Sequence, residues 1–225
     1  MIIEIFTPYN DIRKKVQEET AMKKEENQII TKSIQPKILY YGTPVILLTT
    51  LNEDGTSNIS PLSSSWALGE CIVLGIGEGG KALDNLRSHP ECVVNVPHPG
   101  LWENVEALAP LTGKNPLPEY KRINSFRFEK DKFSAASLTK KEAEIVKPFR
   151  ILECPLQIES RVEHIRVPEH DSHFAIVEVT ALKVHAHTSI LKDDHHVNPH
   201  EWSPLIYNFR HYYGLGEHLG KTFRA

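Results

Sequence analysis

The chain of 225 residues has little cysteine and no long apolar run, and both shortages argue against whole classes of protein. Its three cysteines, Cys71, Cys92 and Cys154, are odd in number and widely spaced, which predicts buried free thiols rather than a disulfide framework. No apolar run approaches the roughly 18 residues that span a bilayer. The N-terminal charges follow a very short apolar stretch, unlike a signal peptide. With a net charge of −3, we expect a cytoplasmic globular protein with no nucleic acid or membrane partner.

The sequence also lacks a catalytic triad, a nucleophile motif and a regular dinucleotide-binding fingerprint. The glycine-rich stretch 75–80 lies between a predicted strand and a predicted helix, where a dinucleotide-binding turn would be expected. Its spacing departs from GxGxxG, and the next strand ends in Asn95, Val96 and Pro97 without the acidic residue that binds a ribose. A flexible turn that uses glycine for positive φ is the simpler interpretation.

Short apolar or alternating segments separated by turn residues predict a mainly β fold of the α+β kind. The run 45–51, the turn signal 52–55 and a strand over 57–60 together predict an antiparallel hairpin. Further strands are predicted at 71–76, 92–96, 156–163 and 175–179. Helices are predicted at 81–88, at 101–108, and from the capping box at Thr139 to near Pro148. An antiparallel β-barrel with a few peripheral helices fits this order.

The composition divides the chain into two parts. Residues 1–30 are rich in lysine and glutamate around a thin apolar stripe of Ile12 and Val16, which predicts an N-terminal helical extension. Residues 31–225 are predicted to form one domain. The C-terminal tail of that domain, from Pro204, is aromatic and basic.

The segment Asn58–Trp66, called the serine segment below, is the strongest candidate for a ligand site. It places four hydroxyls after a predicted strand, on Ser60, Ser63, Ser64 and Ser65. Small hydroxyl residues leave backbone N–H groups accessible, so several donors converge on one anion. Lys81 adds a positive charge at a predicted helix N-terminus. The same residues are equally what a solvated loop with Pro61 at its corner would contain.

The order of motifs around the serine segment resembles the flavin reductase-like family, whose fold is the FMN-binding split β-barrel. The resemblance rests on Leu48-Thr49-Thr50, the turn at Gly55, Asn58-Ile59-Ser60-Pro61-Leu62-Ser63-Ser64, Lys81–Leu86, Glu91–Asn95 and the tail Ile206–Gly216. It extends over residues 30–225 and is sharpest between 43 and 96. It implies a homodimer that binds FMN near the subunit interface, through loops between barrel strands.

The resemblance also implies which residues bind the cofactor. The serine segment and the next helix start would hold the phosphate end, through Asn58, Ser60, Pro61, Leu62, Ser63, Ser64, Ser65, Lys81 and Asn85. Thr49 and Thr50 would hydrogen-bond the isoalloxazine edge, and Trp66 would lie beside the ring or support the loop. Ala82 departs from the family, because many relatives have a threonine there that supplies one more phosphate donor.

The chemistry implied is that of a flavin, which takes hydride from NADH or NADPH without a dedicated acid or base on the protein. Candidates to receive the donor are Trp102, Tyr207 and Arg210. Trp102 is equally a candidate core residue, and Arg210 a candidate for an ion pair at an interface. The expected function is an FMN-dependent NAD(P)H oxidoreductase, a flavin reductase, with a small-molecule substrate.

Three other functions stay open on the sequence alone. One is an FMN-binding electron carrier or sensor without turnover, and another is a haem-binding or cofactor-free dimer module. The third is a metal-dependent hydrolase, because seven of the twelve histidines fall together, at positions His170, His173, His185, His187, His195, His196 and His200. Asp171, Asp193 and Asp194 would supply carboxylates, but the spacing matches no defined ligand motif.

Overall fold

The computed structural model describes Lys14 and residues 29–222, and the chain divides into two units, 1–37 and 38–225. In the first unit Lys14 is helical, and residues 29–37 form neither helix nor strand. The rest of the helix predicted within residues 1–30 lies outside the described residues. All elements named below belong to the second unit.

The second unit consists mainly of short strands. The strands are β1 (Tyr41–Pro44), β2 (Ile46–Leu51), β3 (Ser57–Leu62), β4 (Ser65–Leu68), β5 (Cys71–Gly77), β6 (Glu91–Val96), β7 (Leu111–Thr112), β8 (Arg127–Phe128), β9 (Lys140–Lys141), β10 (Arg150–Ile151), β11 (Leu156–Arg166), β12 (Phe174–Ala186), β13 (Leu191–Asp193), β14 (His196–Val197), β15 (Ile206–Asn208) and β16 (His211–Tyr213). The α-helices are α1 (Lys81–Ser88), α2 (Trp102–Leu108), α3 (Glu119–Ile123) and α4 (Lys132–Ala135). Single 3₁₀ turns occur at Pro99–Leu101 and Thr188–Ile190. Within the described residues, no helix has the length and hydropathy needed to cross a membrane.

A seven-stranded antiparallel sheet forms the body of this unit, in the order β3-β2-β6-β11-β12-β5-β4. The predicted hairpin is β2–β3, in which Thr50 lies opposite Asn58. Strand β5 is antiparallel to both of its neighbours, β4 and β12. The glycine-rich stretch therefore does not belong to a parallel βαβ unit, which confirms that it is not a dinucleotide-binding turn. The predicted antiparallel, mainly β architecture is confirmed.

Strand β2 lies at the centre of the core because it is buried on both faces. Successive residues of a strand point to opposite sides of the sheet. Ile46 and Leu48 therefore pack in one apolar cluster with Leu83 of α1. Leu47 packs in a second cluster that includes Val105 of α2. The continuous apolar run of β2 thus fixes one helix on each face of the sheet.

The helix predicted from Thr139 to near Pro148 is wrong. Residues 140–141 form strand β9, which pairs with β10, and 142–149 are irregular. The backbone N–H of Thr139 donates to the carboxylate of Glu153, outside any helix. The capping-box pattern is local, whereas the partners that organise this segment are distant in sequence.

The carboxylate of Glu159, on β11, organises the rest of that segment. It accepts backbone N–H bonds from Glu144, Ile145 and Val146 at 2.9, 2.6 and 3.1 Å. Because one buried side chain takes three successive N–H groups, those groups are oriented toward β11 and cannot serve a helix.

The prediction that all three cysteines are buried is wrong for Cys71. Cys92 and Cys154 are fully buried, and burial raises the pKa of the Cys92 thiol to about 12. Cys71 is exposed because it is the first residue of β5, directly after the turn at Gly69 and Glu70 that joins β5 to the edge strand β4.

Candidate functional site

A cleft of about 990 Å³ lies beside the serine segment. Its wall combines the ends of β3 and β5, the start of α1, parts of α2 and α3, and the C-terminal hairpin β15–β16. This volume is at the upper end of the range found for cofactor and small-molecule sites. The cleft therefore has room for a ligand of nucleotide size.

Half of the predicted site residues line this cleft. These are Ser60, Pro61, Leu62, Ser63, Ser64 and Lys81. The other half, which the structure places outside the cleft wall, are Thr49, Thr50, Asn58, Ser65, Trp66 and Asn85. The serine segment is not a single loop, because β3 continues through Leu62 and β4 begins at Ser65.

Thr49, Thr50 and Asn85 are buried and make hydrogen bonds inside the protein. The Thr49 hydroxyl donates to the Val93 carbonyl at 3.4 Å. The Asn85 amide donates to Thr50 Oγ1 at 3.1 Å and to the Asn52 side chain at 2.9 Å. These bonds attach α1 to β2 and to the following turn. In this structure the three residues hold in place the elements that form the cleft.

Asn58 and Trp66 occupy very different surroundings. Asn58 is 2% exposed, and its amide donates to Ser60 Oγ at 3.1 Å. Its Oδ1 has no hydrogen-bond partner in the described part of the chain. Trp66 lies on the edge strand β4 and is 58% exposed. Asn58 therefore has an unsatisfied polar atom beside the cleft, and the Trp66 ring lies largely in solvent.

The predicted glycine turn is confirmed and has a role in shaping the cleft. Gly79 has φ +71°, in the left-handed region that favours glycine. The Gly75 N–H donates to the Ser64 carbonyl at 2.7 Å, and a Cβ on Gly75 would lie 2.9 Å from Ser64 Cβ. Glycine at this position therefore lets β5 lie directly against Ser64.

The positive charge of Lys81 is shared with an acidic partner. Its Nζ lies 2.8 and 2.6 Å from the two carboxylate oxygens of Glu53. This hydrogen bond is the main cause of a lowered pKa of Glu53. An anion that binds at the start of α1 therefore competes with Glu53 for Lys81.

Two further lysines line the cleft without a carboxylate partner among the described residues. Lys121 donates to Thr112 Oγ1 at 3.0 Å, and burial, followed by the charge of Lys114, lowers its pKa. Lys132 is 3% exposed and donates to the Ile59 carbonyl at 2.8 Å. Burial, followed by the charge of Lys121, lowers the pKa of Lys132 to about 7.

The C-terminal hairpin contributes aromatic residues and one arginine to the cleft. The Tyr207 ring lies 5.7 Å from that of Tyr212, whose hydroxyl donates to Glu106 at 3.0 Å. Burial and this bond raise the pKa of Tyr212. Arg210 lines the cleft from a two-residue turn with φ +71°, in a region that side chains other than glycine rarely adopt. Trp102 is 46% exposed, so the core position considered for it is wrong.

Several cleft residues that the sequence did not indicate come from the proline-rich middle of the chain. They include Thr112, Gly113, Tyr120, Lys121 and Lys132. Only α4 has a local pattern, because Asp131 caps it by accepting the Ser134 N–H. The other residues enter the cleft through packing between segments that are distant in sequence.

The histidines considered as metal ligands are dispersed. His185 Nε2 lies 2.7 Å from Glu159, and His187 Nε2 lies 2.8 Å from the Leu152 carbonyl. His173 and His196 are exposed, and each pairs with a nearby aspartate. In the part of the chain that the structure describes, no group of three His, Cys, Asp or Glu residues has metal-site geometry.

Comparison with known proteins gives the family. The pattern described as "Flavin reductase like domain" matches residues 38–216, so the chain belongs to the flavin reductase-like family, and its fold is the split β-barrel. It is 60% identical over 194 residues to "Uncharacterized protein YdfE" of Bacillus subtilis (strain 168). The aligned residues make up 86% of this chain and 94% of that protein.

Solved structures agree with this fold at low sequence identity. Flavoredoxin of Desulfovibrio vulgaris (Miyazaki F) superposes with a TM-score of 0.72 at 21% identity, over 87% of this chain and 99% of its own. The 2-nitrobenzoate 2-nitroreductase NbaA of Pseudomonas fluorescens superposes with a TM-score of 0.64 at 17% identity, over 88% of this chain and 90% of its own.

The residues of the cleft fit a flavin nucleotide. The N-cap residue of helix α1 is Gly80, which has no side chain to cap the helix. The first N–H groups of α1 are therefore available to a phosphate. The hydroxyls of Ser60, Ser63 and Ser64 lie on the same cleft wall as Lys81. The unpartnered Oδ1 of Asn58 adds a buried acceptor next to this wall. The serine hydroxyls, Lys81 and the start of α1 provide donors for a phosphate at one side of the cleft, whose other side is aromatic, whereas Asn58 Oδ1 can only accept a hydrogen bond.

Proposed function

We propose that this protein is an FMN-dependent NAD(P)H oxidoreductase, most simply a flavin reductase that acts on a small-molecule substrate. The observation that carries the proposal is the cleft, which joins three serine hydroxyls, Lys81 and the uncapped start of α1 to a wall of tyrosines. Family membership supports a flavin as the cofactor and a reduced nicotinamide as the donor.

In this proposal the phosphate end of FMN lies at the serine segment. Ser60, Ser63 and Ser64 donate hydrogen bonds to it, together with the N–H groups at the start of α1. Ala82, the second residue of α1, adds no side-chain donor, so backbone N–H groups and Lys81 supply the rest. A bound flavin supplies the hydride chemistry, and no residue of the cleft has to act as a dedicated acid or base.

The C-terminal hairpin is proposed to receive the nicotinamide donor. Tyr207 and Tyr212 present aromatic surface to the cleft, on which planar rings stack. Arg210 lies at the exposed tip of the hairpin, where its guanidinium is available to a phosphate of the donor. Backbone strain of the kind seen at Arg210 is concentrated at functional sites in proteins.

We also propose that the protein is a homodimer of the cytoplasm. Trp66 and Leu68 are 58% and 76% exposed on β4, an edge strand of the main sheet. An exposed apolar edge of this kind marks an interaction surface. A second copy of the chain is the proposed partner, and light scattering should give a mass twice the 25.6 kDa of the chain.

Flavin content and reduction together test the proposed function. We expect purified protein to bind FMN on titration, with a flavin absorbance that bleaches when NADH or NADPH is added without oxygen. Elemental analysis of the same sample checks for metal. Failure to bind FMN overturns the proposal. Binding of FMN without reduction by either nucleotide would instead assign the protein as an electron carrier or sensor.

Substitution of Lys81 tests the phosphate position. We expect Lys81→Ala to weaken FMN binding by about 1–3 kcal/mol, because a charge-assisted hydrogen bond is lost. Glu53→Gln should strengthen FMN binding, since it removes the carboxylate that competes with the phosphate for the Lys81 ammonium. Fluorescence titration measures both, with the exposed Lys141→Ala as the control. Equal affinities in all three variants would remove Lys81 from the phosphate site.

A further inference from the structure

Lys132 is an unusual residue for the wall of a cleft because it is a buried ammonium with only one acceptor. It lies in α4, is 3% exposed, and donates to the Ile59 carbonyl at 2.8 Å. Within residues 29–222, no carboxylate lies within 4 Å of its Nζ. An ammonium has three N–H donors, so two of them have no acceptor among the residues that the structure describes. A buried charge without a counter-charge is costly unless a ligand supplies one.

The carboxylates that line the cleft, on Glu78 and Glu106, bond to other groups and do not balance this charge. The other charged and titratable groups of the cleft wall, of α4 and of the elements packed against it fall into two sets. Those that bond to a neighbour are Glu78 with Arg87, Glu106 with Tyr212, Asp131 with Ser134 and Lys140, Lys81 with Glu53, Lys121 with Thr112, Tyr120 with the Glu78 carbonyl, and Tyr40 with Ser64. The others are Tyr207 and the exposed Glu103, His173 and Arg210. Strand β3, which lies against α4, carries no ionisable side chain. The inner wall of the cleft therefore has an excess of positive charge at Lys121 and Lys132.

This environment changes the protonation of Lys132 near neutral pH. Burial, with a smaller contribution from Lys121, lowers its pKa to about 7. Near pH 7, without a bound anion, the Lys132 amine is therefore a mixture of the ammonium and neutral forms. A bound anion favours the charged form and raises the pKa again. Binding an anion at this position must then take up a proton.

We propose that Lys132 forms a subsite for a phosphoryl anion, and that the ligand binds there together with a proton taken up by the amine. This inference rests on the proposed function, which supplies a phosphorylated ligand. The anion has two possible sources, the phosphate of FMN and the pyrophosphate of the nicotinamide dinucleotide. The shared chemistry is a phosphoryl oxygen that accepts N–H bonds from a buried lysine.

Calorimetry measures the proton directly. FMN, riboflavin and oxidised nicotinamide dinucleotide are titrated into the wild-type protein at pH 8, in two buffers with different enthalpies of ionisation. At this pH Lys132 is mostly neutral and a phosphate monoester, whose second pKa is about 6, is already fully charged. We expect FMN to bind with uptake close to one proton, and riboflavin, which has no phosphate, to bind with none.

Variants of Lys132 identify the residue that takes up the proton. Lys132→Arg keeps the charge but cannot titrate, so FMN binding should persist without proton uptake. Lys132→Met should bind FMN without taking up a proton, and its affinity for FMN at pH 7 should be at least tenfold lower. The exposed Lys192→Met is the matched control and should behave as wild type. Proton uptake that persists in Lys132→Arg would contradict the assignment and point to Lys121.

The outcomes separate this inference from the proposed function. No binding of FMN at any pH overturns the proposed function. Binding of FMN and of the dinucleotide without proton uptake leaves the proposed function in place and overturns the subsite. Uptake with the dinucleotide and not with FMN supports the subsite and assigns its anion to the dinucleotide. The wild-type measurement decides these cases even if a variant fails to fold.

Discussion

Glu159→Gln is expected to lower the free energy of unfolding by about 3–5 kcal/mol, as is usual when one partner of a buried charged network is removed. The Glu159 side chain is fully buried, and its carboxylate binds the N–H groups of Glu144, Ile145 and Val146 and the His185 ring. Glutamine has the same size but replaces one oxygen by an NH₂ group, which leaves backbone donors facing a donor. Urea denaturation of wild type and variant measures the difference.

The control for this prediction is Glu163→Gln, on the same strand but exposed, which should change stability by no more than about 0.5 kcal/mol. The pH dependence has a definite sign. Burial alone would raise the pKa of Glu159, but the backbone donors and His185 outweigh it and lower the pKa. The stabilisation is therefore present above the unfolded-state pKa of about 4.3 and is lost as the pH falls through the folded-state value. A stability difference that stays constant from neutral pH to about pH 3 would contradict a role for the charge.

Local patterns were sufficient to predict six of the seven strands of the central sheet, all except β4. The continuous apolar run of β2 and the turn at 52–55 predicted the β2–β3 hairpin, and helix α1 has the predicted bounds, Lys81–Ser88. These elements are governed by the spacing of apolar residues and by turn residues, which are both visible within a few positions. For the same reason the glycine turn was identified correctly from its spacing.

Segments held by distant polar partners were not predictable in this way. The Asn95 amide donates to the Leu47 carbonyl, and its oxygen accepts the Ile151 N–H, so one buried side chain ties β10 to the main sheet. Glu159 ties residues 144–146 to the same sheet, through their backbone N–H groups. A capping box at Thr139 is a weak local preference, and these buried hydrogen bonds outweigh it. Nothing in the sequence near Thr139 shows which distant side chains accept the backbone N–H groups of residues 139–146.

The candidate site was predictable on its β3 and α1 side and, through Tyr207 and Arg210, on its C-terminal hairpin. Ser60, Ser64 and Lys81 belong to motifs that the family resemblance contains, and they line the cleft. Lys121 and Lys132 belong to no motif, and their importance depends on burial and on missing carboxylate partners. Both are properties of the packed molecule. The resemblance also assigned ligand contacts to Thr49 and Thr50, which are fully buried and bonded within the protein.

Gly113→Val is expected to weaken FMN binding by more than a hundredfold, or about 2.7 kcal/mol, and to destabilise the fold by about 1–3 kcal/mol through overpacking. Gly113 lies on the cleft wall in the loop after β7. A Cβ at this position would lie 2.6 Å from Asn58 Oδ1 and 3.1 Å from Lys81 Cγ. Valine therefore displaces the Lys81 side chain and presses on a buried asparagine, and its two methyl groups enter the space beside the phosphate donors. Fluorescence titration with FMN measures the effect.

The matched control is Gly216→Val, because a Cβ on Gly216 would meet no atom within 4 Å. It should bind FMN as wild type does. Thermal unfolding distinguishes a local effect from a folding defect: the effect on binding is local if Gly113→Val is fully folded at the temperature of the titration. A Gly113→Val protein that folds normally and binds FMN with wild-type affinity would show that the ligand does not approach Lys81 and Asn58. The phosphate end of the flavin would then have to lie elsewhere in the cleft, since Gly113 packs directly against both of these residues.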